Sequence, residues 1–387
     1  MTHVRRIPMA APAAALTAAV LVGTLGPAAP ASSAEQARPA AAERGSVRSI
    51  VVPGTDRAAR ELSARRTAPF SMVGLTWSDS HAQLGGTAQV RVRDRATGAW
   101  TAWRELELDV RTPETGPDST DAGVRAGTQP LWTGPADGVQ ARVRGASGNA
   151  STLPRGLRVE LVDPTAAPAT TSGARTADPA KTALAAAAVT PAPQPTILPR
   201  SAWGANEALV KDPATYTKET KAVFVHHTAG TNTYTCADSP SIVNGIFLYH
   251  VQSQGWNDIG YQFLVDKCGT IFEGRAGGVD KPVLGAQTYG FNTDTTGVAV
   301  LGNYNDVTST PEVLASVSAV AAWKLGLYGY DPSSTVVLTA AASNGKFTAG
   351  QQVTMNRISG HRDGYPTECP GNNLYADLPT IRTLAVQ

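Results

Sequence analysis

Ala222-Val223-Phe224-Val225-His226-His227 is the stretch that decides the fold of the C-terminal half. Its apolar opening, unbroken over four residues, reads as a buried strand. Working outward, residues 261–265 and 298–301 carry runs of the same kind. Ile242, Ile246 and Tyr249 keep helical spacing and predict a helix over 241–254. Thr310 as N-cap, with Pro311 at the first helical position, opens another helix through Leu325. Leu374, Leu378 and Ile381 repeat at i, i+4 and i+7 and predict a terminal helix. Strands and helices mixed over residues 196–387 predict an α/β domain with a central sheet.

Upstream the period changes. Val73, Leu75 and Trp77 alternate with small or polar residues, as do Val90 and Val92, Val139, Ala141 and Val143, and Leu157, Val159 and Leu161. Gly, Pro, Asp and Thr clusters separate these runs. Residues 46–163 are therefore expected to form an all-β, sandwich-like accessory domain. Trp100, Trp103 and Trp132 are expected in its core, since small β-domains need bulky anchors. This half offers no candidate catalytic residue, and its His81 sits in a polar turn. Residues 164–195 are almost entirely Ala, Pro, Thr and Ser, a linker composition, and residues 35–45 read as disordered.

Residues 1–34 read as a secretion signal. Arg5 and Arg6 begin it, a mostly apolar stretch follows, and Ser32-Ser33-Ala34 offers a cleavage site. That stretch is shorter than the ~20 residues a span needs, so no stable membrane insertion is expected and the location is secreted or cell wall. With 33 basic and 31 acidic residues the net charge is +2, which gives no reason to expect a nucleic-acid partner. Three cysteines are an odd number for an exported chain. The economical assignment is a Cys236–Cys268 disulfide, with Cys369 held as a metal-bound thiolate. A bridge from Cys369 to either of the others is the alternative.

His226 and His227 end the first strand, while His361 and Cys369 share one Gly/Pro-rich segment. A strand-end histidine joined by a His and a Cys from one loop gives three ligands and an open fourth position, the arrangement of catalytic zinc. Imidazole and thiolate also suit zinc better than magnesium or calcium. Successive strand side chains point to opposite faces, so one of His226 and His227 faces the site. The spacing leaves open which.

Six motifs in order carry a resemblance from about Ile197 onward. They are Pro199-Arg200-Ser201-Ala202-Trp203-Gly204-Ala205, Val225-His226-His227-Thr228-Ala229-Gly230, Asp258-Ile259-Gly260-Tyr261-Gln262-Phe263, Ile271-Phe272-Glu273-Gly274-Arg275, Gly302-Asn303-Tyr304 and Gly360-His361-Arg362-Asp363. With these the second domain resembles the peptidoglycan recognition proteins and type-2 N-acetylmuramoyl-L-alanine amidases. The resemblance implies a mixed central β-sheet flanked by helices, with a zinc site at one end of a long groove. It implies His226, His361 and Cys369 as zinc ligands, so that His227 faces away, and Tyr261 and Thr367 as catalytic residues. Groove positions fall on His250, Gly255, Trp256, Arg275, Gln287 and Asn292, Gln287 standing where many members have histidine.

The implied activity is hydrolysis of the amide between N-acetylmuramic acid and L-alanine in peptidoglycan. Tyr261 and Thr367 would hydrogen-bond the attacking water or the oxyanion. Tyr261 through a water, or Glu368, would supply the leaving amine's proton. Gly255, Trp256 and Arg275 resemble the positions of members that prefer diaminopimelate-type stems, where arginine can grip the extra carboxylate bidentately. Two rivals remain: a recognition protein that binds peptidoglycan without cutting it, and a cysteine-nucleophile wall peptidase using Cys369 and His361.

Overall fold

The period-2 half folds as one antiparallel sheet in the computed structural model, which describes residues 45–108, 110–120, 123–146, 152–164 and 192–387. The readings of residues 1–34 as a signal, and of most of 35–45 and 164–195, lie outside those residues. The strands are β1 (Ser46–Val51), β2 (Ala59–Trp77), β3 (Gly86–Asp94), β4 (Arg104–Glu105), β5 (Ala126–Gly127), β6 (Leu131–Gly145) and β7 (Arg158–Asp163), with a one-turn helix α1 (Pro117–Thr120). They pair in the order β1-β7-β2-β6-β3-β4, with β5 on β2. Register shifts let the long β2 bend along β6. The alternating residues read from the sequence, Val73, Leu75, Trp77, Val90, Val139 and Val159 among them, share one core.

Trp100 and Trp103 are a correction. They are half-exposed on the outer face of β3 and β6, where the Arg142 guanidinium lies 4.2 Å from the Trp103 ring centre and Arg91 stacks on both. The loop after β3 carries them past the core to the face that presents the arginines. Trp132 is buried, but against the other domain.

In the second half β8 (Ile197–Leu198), β9 (Ala222–His227), β10 (Phe263–Val265), β11 (Ile271–Glu273), β12 (Thr295–Val300) and β15 (Ile358–Gly360) form a six-stranded sheet, ordered β15-β9-β12-β10-β11-β8. A hairpin of β13 (Thr335–Thr339) and β14 (Gln352–Asn356) stands apart. The β10/β11 pair is antiparallel and the other pairs parallel, so the sheet is mixed. Helix α2 (Ser239–Leu248) covers one face; α3 (Pro311–Gly326) and α6 (Leu378–Leu384) cover the other, after α4 (His361–Gly364) and α5 (Asn372–Ala376). Thr310 caps α3 by accepting the Val313 amide at 3.2 Å.

Three element boundaries differ from expectation. The helix expected over 241–254 begins at Ser239 and ends in a π-helical turn, Tyr249–Ser253, which carries His250. Tyr261 precedes β10, not within it. The terminal helix is two short ones, because Pro379 in the first turn of α6 restarts the hydrogen-bond ladder after Asp377. Cys236 and Cys268 are joined as expected.

The described residues belong to one compact unit. Val73 and Leu75 point into the β-domain core, whereas Met72 and Val162, together with Trp132, pack on Ile242, Ile246 and Phe247 of α2. The Tyr249 hydroxyl donates to the Leu75 carbonyl at 2.8 Å across the same seam. Each such buried side chain contributes roughly 1.5–3 kcal/mol.

Candidate metal site and the groove beside it

Sheet register brings the two histidines together. Gly360 of β15 lies opposite Val225 of β9 in a parallel pair, so the next residues, His361 just past β15 and His226 within β9, stand side by side. Their rings are 4.5 Å apart. Cys369 arrives from the loop after α4. Its carbonyl accepts the Arg362 amide at 2.9 Å, and its own amide donates to Thr367 Oγ1 at 2.9 Å. Cys369 Sγ stands 3.7 Å from His226 Nδ1 and accepts the His227 amide at 3.4 Å. One ligand atom from each of His226, His361 and Cys369 lies within 4.8 Å of the others, and all three residues are buried.

The donor chemistry fits a soft divalent metal such as zinc. His361 Nδ1 is a buried polar atom without a hydrogen-bond partner among the described residues, as a vacant ligand atom would be. Burial pushes the His226 imidazole down to about 3; the Gln287 bond opposes this and His227 adds to it. Burial, then the neighbouring His226 and His227, holds His361 well below its ordinary range. Both rings are therefore neutral, the form that binds metal.

Gln287 fixes the His226 tautomer. Its Nε2 donates to Thr295 Oγ1 at 3.0 Å, which turns Oε1 toward His226 Nε2 at 2.7 Å. His226 Nε2 then carries the proton and Nδ1 faces the triad. His227 points to the opposite face of β9, where Nδ1 accepts the Tyr304 amide at 3.2 Å and Nε2 meets the Glu107 carboxylate at 3.1 Å.

The Tyr261 ring centre lies 5.3 Å from that of His226, and its hydroxyl accepts from Gln129 Nε2 at 3.3 Å. Thr367 faces a cleft of about 600 Å³, lined also by Glu105, Glu107, Asn303, Tyr365 and Glu368. His250, Trp256, Tyr261, Gln287 and Asn292 gather with His361 around a cavity of only about 20 Å³. Gly255 and Arg275 do not line it. Arg275 is buried and gripped bidentately by Asp118 at 2.7 and 2.9 Å, while its Nε donates to the Ile259 carbonyl. Asn292 Nδ2 donates to Glu114 at 2.8 Å. Gly255 has φ +78°, and a Cβ there would meet the Gly123 carbonyl oxygen at 2.9 Å. Trp256 packs with Val110, Val124 and Ala286.

Sequence reading missed Glu107, Arg111, Glu114, Asp118 and Gln129, all from the β-domain. Arg111 Nε donates to the Tyr365 hydroxyl at 2.6 Å, next to His361. The one available signal was an acid-rich stretch, with Glu105, Glu107, Asp109, Glu114, Asp118 and Asp121 close together.

Residues 216–372 match the family model described as N-acetylmuramoyl-L-alanine amidase. Residues 27–183 match one described as Rv3811 N-terminal galactose-binding domain-like. Peptidoglycan-recognition protein SC2 of Drosophila melanogaster is 33% identical over 185 residues, spanning 48% of this chain and 85% of that protein. Human peptidoglycan recognition protein 3 is 36% identical over 113 residues, 28% of this chain and 30% of that protein. Among solved structures, peptidoglycan recognition protein LE in complex with tracheal cytotoxin is similar over 48% of this chain and 92% of its own, at 27% identity and a TM-score of 0.38. The endolysin N-acetylmuramoyl-L-alanine amidase LysCS of Clostridium intestinale is similar over 49% and 96%, at 24% identity and a TM-score of 0.35.

Proposed function

The chain belongs, through its C-terminal domain, to the family of peptidoglycan recognition proteins and N-acetylmuramoyl-L-alanine amidases, and on that premise we propose that it is an exported zinc amidase of peptidoglycan. Its reaction is hydrolysis of the amide joining N-acetylmuramic acid to L-alanine. The observation that carries this reading is the triad of His226, His361 and Cys369, buried and within ligand distance of one another. The Cys236–Cys268 disulfide supports an oxidising compartment.

When bound, zinc lowers the pKa of a water and polarises a carbonyl. The chain's residues do the rest. Gln287 holds His226 in the metal-binding tautomer. The Tyr261 hydroxyl, which accepts from Gln129 Nε2, is the group assigned to hydrogen-bond the attacking water or the developing oxyanion. Thr367, whose oxygen accepts the Cys369 amide, is the second hydroxyl assigned to that role. Asn292, His250 and Trp256 line the groove for the stem peptide. Arg275, whose guanidinium grips the Asp118 carboxylate bidentately, has a fork suited to a stem carboxylate, and from it we infer a preference for diaminopimelate-type over lysine-type stems.

A cysteine nucleophile fits less well. Cys369 is 1% exposed, and its sulfur accepts the His227 amide and stands beside His226 Nδ1 as a ligand would. Metal content of the purified full chain, paired with identification of the bond cut in muropeptides, tests the reading. One zinc per chain, loss of cleavage with chelator and recovery with zinc are expected. Cleavage indifferent to chelators sinks it.

A further inference from the structure

The groove beside the metal triad already has an occupant. Residues 110–118 and 123–129 of the β-domain meet it position by position: Asp118 on Arg275, Glu114 on Asn292 and Gln129 on Tyr261. Val110 and Val124 press on Trp256, and the Gly123 carbonyl fills the space that Gly255 leaves open. Two further bonds continue the contact, from the Arg125 amide to the Gln254 carbonyl at 2.8 Å and from the Asn257 amide to the Asp118 carboxylate at 2.8 Å. The cavity that remains, about 20 Å³, holds little more than one water. A stem peptide and this stretch cannot share the groove.

We propose that residues 110–118 and 123–129 are a built-in pseudosubstrate, with the Asp118 carboxylate standing where a substrate carboxylate pairs with Arg275, and that substrate must displace them. The inference rests on the reading of this groove as the stem-peptide site. It adds a source of selectivity. A ligand that brings its own carboxylate exchanges one charge-assisted pair for another. A ligand without one must leave a buried guanidinium without its partner, which is strongly unfavourable. Opening is thus coupled to the chemistry of the stem.

The test uses the full chain and diaminopimelate-type muropeptide in two forms, cleavable and N-methylated at the lactyl–alanine amide so that it binds uncut. Asp118→Asn keeps the volume and removes the competing charge; it should tighten binding about ten- to a hundredfold. Val124→Ser loosens the plug at Trp256 without touching the ion pair and should also tighten binding. If Asp118→Asn fails to fold, it decides alone. In the unmutated chain, bound muropeptide should speed hydrogen exchange at the Arg125 amide.

Unchanged or weaker binding in a folded variant, or an Arg125 amide that ligand leaves protected, overturns the proposal. Tighter binding by variants that cut nothing upholds the pseudosubstrate and removes the amidase reading. Equal binding and equal cleavage by variant and unmutated chain do the reverse.

Discussion

Gln287 shows how one side chain can set the tautomer of a candidate metal ligand. Its amide is oriented by Thr295, and that orientation puts the proton on His226 Nε2. Partners of this kind typically change metal affinity by about 10–100-fold. Gln287→Ala is therefore expected to weaken zinc binding by about that factor while Gln287→Glu, which retains an acceptor, binds nearly normally. Competitive titration with a chelator measures both. Equal affinities for all three chains would remove Gln287 from the site. Cys369→Ser should lower zinc occupancy and cleavage together, read by elemental analysis beside rate. A serine variant that keeps full zinc yet cuts nothing would return the cysteine nucleophile to consideration.

Elements, more than single residues, bring the candidate ligands together. The parallel pairing of β9 with β15 sets His226 beside His361, and the Asp363 carboxylate accepts the Gly360 amide at 2.8 Å where β15 turns into α4. Asp363→Ala should release that turn and cost about 0.5–2 kcal/mol, the range for lost helix caps, with looser zinc binding as its second readout. Stability lost without any change in zinc affinity would limit Asp363 to the turn. On the far side of the domain the Cys236–Cys268 bridge spans 32 residues and ties the start of α2 to the turn after β10. Replacing both cysteines by serine should cost about 3–4 kcal/mol on loop-closure grounds. Thermal melting of the two chains at one pH checks it.

At the scale of the whole molecule, the seam between the halves is half apolar and half ionic. Met72, Trp132 and Val162 supply the first, Asp118 with Arg275 the second. Burial alone would raise the Asp118 carboxyl, but attraction to Arg275 and the bonds from Arg275 and the Asn257 amide outweigh it and hold it below its usual range. A depressed carboxyl contributes stability that is present above its unfolded value of about 3.9 and is lost as pH falls through the lower folded value. Stability of the unmutated chain should exceed that of Asp118→Asn at neutral pH, and the gap should close on acidification below about pH 4. Melting curves from pH 7 to 3 show whether it does; a gap independent of pH would mean that the carboxylate charge contributes nothing.

Runs and periods are local properties, and what depends on them was legible in the sequence. The buried strand at Ala222, the helix capped by Thr310, the alternation of the β-domain and the odd cysteine could each be read without coordinates. So could a candidate set of His361, Cys369 and one of His226 and His227, because donor softness is a matter of composition; the choice of His226 came from the family resemblance. The π-helical turn at His250 was not legible, since one extra residue per turn leaves the apolar spacing almost unchanged. Trp100 and Trp103 misled because bulk predicts burial only until a loop carries the ring to the outer face. The occupied groove was wholly out of reach. Asp118 and Arg275 are 157 residues apart, and a carboxylate in an acid-rich stretch reads as solvated until packing removes the water. Local chemistry determined what the site is made of; only the docking of one half on the other decided what fills it.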